Sequence, residues 1–163
     1  MKLDLALRAV HRSERRLAEE LLELGERHKA DHDVLHLSRT LARWAQGHVR
    51  ALAEAGKRFE LDLDAGGPGS DGSGGPLGAV REKTAELVGR RPEPGLLLLR
   101  DLRRLHLAAA EASIDWTLLA QGAQAAKDRQ LLDLAAACHP QTLRTLRWTT
   151  TRLKEGAPQV LVS

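Results

Sequence analysis

The chain has 163 residues, 42% hydrophobic and 29% charged, with a formal charge of +3; that suits one domain with a real core and excludes a disordered composition. The single cysteine, Cys138, excludes an internal disulfide and fits a reducing compartment. The longest apolar run, residues 95–99, is far too short to span a bilayer, and the N-terminal run carries Asp4 and Arg8 with no small-residue cleavage site, so a soluble cytoplasmic protein is expected.

Leu3, Leu7, Val10, Leu17, Leu21 and Leu24 recur at spacings of three, four and seven, which predicts a first helix over about 3–28. The run ERHKADHD interrupts it and offers Asp31 or Asp33 as the N-cap of a second helix, over about 34–60. Its stripe is Val34, Leu37, Leu41, Trp44, Leu52 and Phe59, and the short break implies an antiparallel hairpin. The stretch LDAGGPGSDGSGGPLG then predicts a flexible connector over about 62–77. It follows no strand and lacks the Lys-Ser/Thr ending of a phosphate loop. A short helix is expected over about 77–90, closed by RRPEPG.

A third helix, about 95–125, carries Leu98, Leu102, Leu105, Ala109, Trp116 and Leu119. It has a second apolar line, Leu107, Ile114 and Leu118. Asp128 can cap a fourth helix, about 128–155, with the stripe Leu131, Leu132, Ala135, Leu143, Leu146 and Leu153. Gly156 and Pro158 are expected to end it, and Pro140 to kink it near residues 136–138. Each hairpin of about 60 residues exposes a whole apolar face, and two helices alone rarely bury enough surface to offset chain entropy. The expected fold is therefore all-α, a single four-helix bundle of two hairpins, with the glycine stretch as its long crossover.

Polar residues on these stripes are the site candidates. Glu14 falls near the middle of the first apolar face and His48 near the middle of the second. Each stands seventeen residues from Asp31, so antiparallel pairing about that turn puts them at one height. A buried carboxylate needs a partner, and imidazole supplies one. His139 lies on the fourth stripe. On the third helix Glu111 faces away from the main stripe, with His106 and Asp115 as rivals for His139's partner.

The order Glu14, His48, long crossover, Glu111, His139 resembles the ferritin-like superfamily. The stretches LLRDLRRLHLAAAEASIDWTLLAQGAQAAKDRQLL and CHPQTLRTLRW, with the APQVL tail, also look like uncharacterised bacterial ferritin-like proteins. That resemblance covers both hairpins, roughly 130 residues, and implies a ferritin-like bundle. Di-iron members place a Glu on each of two helices and Glu-x-x-His on each of the others. Here the carboxylate positions before the two histidines hold Ala45 and Ala136, so two bridging ligands are missing. The implied protein lacks an intact di-iron centre and acts without catalysis, as a structural, stress-related or interaction protein that self-associates. The rival is a reduced metal site of Glu14, His48, Glu111 and His139, whose donors suit iron or zinc and could support redox chemistry.

Other candidates favour simpler roles. His11 sits at the edge of the first stripe, His28, His32 and His36 gather near the first turn, and Cys138 has no matched base. Arg100, Arg103 and Arg104 are interrupted by Asp101, and few aromatics are present to stack on bases, so nucleic acid is not an expected partner. The tail residues Val160, Leu161 and Val162 are expected to dock on the bundle or on another subunit.

Overall fold

The computed structural model describes residues 2–66 and 93–163. Four α-helices carry the described chain: α1 Leu3–Arg27, α2 His32–Gly56, α3 Pro94–Ala125 and α4 Arg129–Leu161. No strand occurs among the described residues, and no helix there is long and apolar enough to cross a membrane. The predicted short helix over about 77–90, and the connector beyond residue 66, lie outside the described residues.

Local chemistry sets the helix ends. Asp31 caps α2 by accepting from the Val34 N–H at 3.1 Å, and Asp128 caps α4 in the same way through Leu131, also at 3.1 Å. Pro94 opens α3, where its missing N–H costs nothing. After α2 a 3-10 turn, Lys57–Phe59, leads to Glu60 at φ 56°, and the chain reverses with Leu61 N–H on Gly56 O at 3.1 Å.

Every packed pair of neighbours is antiparallel, and named contacts fix the registers. On α1 and α2, Glu14 meets His48 and Gly25 abuts Ser38. On α1 and α3, Arg16 reaches Glu111 and Arg27 reaches Asp101. On α3 and α4, Ser113 meets His139 and His106 meets Thr149. On α2 and α4, His48 meets Gln141 and Asp31 meets Arg152. The ring order is α1–α2–α4–α3, and α2 ends at the opposite end of the bundle from the start of α3. The α2–α4 seam is the most loosely packed of the four.

The core is Leu- and Ala-rich, in two clusters. One holds Leu17, Leu21, Leu41, Ala45, Leu105 and Ala109; the other holds Leu7, Val10, Leu52, Trp116, Leu119 and Leu131. Each buried Leu or Val contributes about 1.5–3 kcal/mol against the entropy of ordering.

Two expectations change. The buried line of α4 is Leu131, Ala135, Cys138, Thr142, Thr145 and Thr149, whereas Leu143 is 39% exposed; the threonines, not the neighbouring leucine, face inward. That helix holds Pro140 inside it, as expected; Pro140 and Ala136 are both exposed, so the freed Ala136 carbonyl can meet water. It also passes Gly156 and Pro158 to reach Leu161, with Gly156 against Leu99 and Val160 seated over Gly95. A Cβ at Gly95 would stand 2.7 Å from Val160, so the tail docks on the bundle through Val160, while Leu161 and Val162 remain exposed.

Candidate functional site

The two core clusters are separated by a polar layer to which all four helices contribute. Its centre is Glu14, with no exposed surface. Oε2 of Glu14 lies 3.1 Å from Nδ1 of His48 on α2. Oε1 accepts from the indole Nε1–H of Trp116 on α3 at 2.6 Å and from the hydroxyl of Thr142 on α4 at 2.5 Å. The other nitrogen of His48, Nε2, lies 2.7 Å from Oε1 of Gln141. Trp116 also sets its ring edge against the His48 ring, with centroids 6.0 Å apart. No buried side-chain polar atom among the described residues lacks a partner.

The protonation state follows from these partners. Nδ1 faces a carboxylate and Nε2 faces an amide oxygen, an arrangement that favours the imidazolium, in which both ring nitrogens donate. Burial works against that charge, but the hydrogen bond and charge of Glu14, with the hydrogen bond to Gln141, outweigh it and raise the His48 pKa. The layer therefore holds a neutralised ion pair with both carboxylate oxygens hydrogen-bonded, the condition under which a buried pair is tolerated.

His139 stands apart from this pair. Its Nε2 lies 2.8 Å from Ser113 Oγ, and burial lowers its pKa against the pull of Glu14, which favours the neutral ring. It serves Ser113, not the carbonyl freed by Pro140. Glu111 lies on the outer edge of α3, half exposed, paired with Arg16 at 3.2 Å. Of the four expected ligands, then, Glu14 and His48 meet, while His139 and Glu111 go to other partners. Among the described residues no group of three or more His, Cys, Asp or Glu is placed to hold a metal ion. The donors around Glu14 also point the wrong way for a cation: an indole N–H has no lone pair and cannot turn to become a ligand. Of the rivals for the α3 position, His106 hydrogen-bonds Thr149 at 2.8 Å.

The remaining histidines and the cysteine have structural environments. His11 is buried, with Nε2 2.6 Å from the Asp64 carbonyl, and Arg15 pairs with the Asp64 carboxylate; together they hold the first residues after α2 against α1. His28 shares the buried Asp101 carboxylate with Arg27, at 2.8 and 2.9 Å. Burial would raise the pKa of Asp101, but His28, Arg27 and Arg100 overcome it and hold it below the ordinary carboxylate value. Cys138 is pushed up to about 12 by burial and by the charge of Glu14, which leaves its thiol unreactive.

Trp116, Thr142 and Gln141 are the partners that sequence reasoning missed. Trp116 read as an apolar stripe residue, and its N–H gave no sign of use. Thr142 carried a signal, because Thr142, Thr145 and Thr149 repeat at three and four residues, the spacing of one helix face. Comparison with protein-family models, with curated proteins and with solved structures finds no match to this chain.

Proposed function

We propose that the chain is a ferritin-like bundle without a di-iron centre, a non-catalytic structural or interaction protein that works through its surface. The observation carrying this reading is the occupancy of Glu14: both carboxylate oxygens receive protein protons, from His48, Trp116 and Thr142. The layer joins helices, with both oxygens of its carboxylate engaged by protein donors. The antiparallel neighbours, with α2 and α3 running the same way on the diagonal, suit a crossover of the ferritin-like kind.

Metal analysis of protein expressed with added iron and zinc tests the reading. The expected result is no stoichiometric metal in the wild type or in Glu14→Gln. Stoichiometric iron with ferroxidase activity, lost in Glu14→Ala/His48→Ala, would overturn it in favour of the reduced metal site. Self-association belongs to the same reading, with a second copy covering the outward line of α3, where Leu107, Ile114 and Leu118 are 52–61% exposed. Light scattering at the mass of a single chain would reject that part.

A further inference from the structure

Like α4, which is free of acids between Asp133 and Glu155, and unlike α1 and α3, α2 carries a long stretch without carboxylates. Between Asp33 and Glu54 the helix VLHLSRTLARWAQGHVRALA contains no acidic residue. Its inward line, Val34, Leu41, Ala45, His48 and Leu52, is spent on the core, and Trp44 faces α4 under Arg144. His36, Arg39, Arg43 and Arg50 are left on the outward side, all exposed. Gly47 sits among them, and a Cβ there would meet nothing nearer than Arg50 at 3.9 Å. From Arg39 to Arg50 the row is about 16 Å long at 1.5 Å per residue.

Elsewhere among the described residues most arginines are paired, and of those that are not, Arg144 lies over the Trp44 ring while Arg103 on α3 and Arg147 on α4 stand singly. Arg16, Arg27, Arg58, Arg100, Arg104, Arg129 and Arg152 each hold a carboxylate. By contrast, Arg39, Arg43 and Arg50 have no acidic partner among the described residues, nor do Arg8 and Arg12 on α1. In the register set by Glu14 with His48 and Gly25 with Ser38, Arg12 stands level with Arg50. Acids around this face are already engaged: Glu19 by Arg15, Glu26 by Lys29 and Glu54 by Lys57.

We propose that the outward face of α2, with Arg39, Arg43 and Arg50 and Arg12 of α1 beside them, binds the phosphate backbone of duplex nucleic acid without sequence preference. The proposal names a partner for a bundle that works through its surface, and it rests on that reading. Guanidinium groups suit phosphate because their fork matches two oxygens at once. A rigid row about 16 Å long faces roughly ten duplex charges at one per 1.7 Å of axis. Protein partners are disfavoured because this row carries no aromatic or large apolar anchor. Single strands are disfavoured because it has no aromatic platform for bases: Trp44 faces α4 and Trp116 is in the core. The interrupted run Arg100–Arg104 is not this surface, since Arg100 and Arg104 are held by Asp101, Glu20 and Glu23.

The test is fluorescence anisotropy of the full chain with a labelled 20-base-pair duplex, the matching single strand, and vesicles rich in phosphatidylserine, across a salt series. Four phosphate contacts predict a log–log salt slope of about −3.6, and so roughly a hundredfold loss of affinity between 50 and 200 mM salt. Arg39→Ala/Arg43→Ala/Arg50→Ala is expected to reduce the slope to about −0.9 while leaving the thermal melt unchanged. Arg103→Ala/Arg147→Ala, on the other hairpin, is expected to bind like the wild type. No duplex binding, an unchanged slope in the triple variant, or preference for vesicles or single strands would each overturn the proposal. None of these outcomes alters the metal content of the same preparation, so the core reading stands or falls separately.

Discussion

A single carboxylate ties four helices together, and its energetics are those of a buried ion pair. Glu14→Ala would leave His48 charged and uncompensated in the core, so a loss of about 3–5 kcal/mol is expected in urea unfolding. Trp116→Phe keeps the ring and removes one donor, for which about 1–3 kcal/mol is expected. The double variant Glu14→Ala/His48→Ala should cost less than the sum of the singles, because the second change removes the charge the first orphaned; additivity would show that the two do not act as a pair. The pH dependence follows from the same contact. The folded pKa of His48 is raised above 6.5, so its stabilisation is complete below 6.5 and is lost as pH rises through the higher folded value. Unfolding free energies measured from pH 6 to pH 10 should fall in the wild type and fall less in His48→Gln. Asp101 has the opposite sign. Its folded pKa lies below 3.8, so its contribution is present above 3.8 and lost as pH falls through the folded value; Asp101→Asn should flatten the acid limb.

Among the helices, α1 and α2 approach closely at Gly25, where an added Cβ would collide with the Ser38 hydroxyl. Gly25→Ala is expected to cost about 1–3 kcal/mol through overpacking, despite the better helix propensity of Ala. Gly25→Ala/Ser38→Ala should recover most of it, and a double variant no more stable than the single would point to a backbone cause instead. Caps and starts of these helices were legible because they depend on local chemistry: Asp31 and Asp128 accept from the N–H three residues on. The inward phase of α4 was not. Leu143 outranks Thr142 in hydropathy, yet Thr142 faces inward because the Glu14 carboxylate there requires a donor. The C-terminal end of α4 was misplaced for a related reason: Gly156 and Pro158 read as stop signals, whereas Leu99 and the gap above Gly95 supply contacts that carry the helix on.

At the scale of the molecule, neither hairpin completes the polar layer. Glu14 and His48 come from the first, Trp116, Gln141 and Thr142 from the second. A fragment of residues 1–66 is therefore expected to show no cooperative urea transition by circular dichroism, since it would expose its apolar face and lose three of the contacts to its buried pair. A sharp transition would mean that the hairpin is a folding unit in its own right.

What the sequence determined by itself is the set of local and periodic features: four amphipathic helices, their caps, the pairing of hairpins and the level meeting of Glu14 with His48. These follow from 3.6-residue periodicity and loop length, which act along the chain. Only the tertiary structure decided what Glu14 receives, where Glu111 and His139 go, and which arginines remain unpaired. Those outcomes depend on how four helices are rotated about their axes, and a helix apolar on two faces, such as α3, does not fix its own rotation.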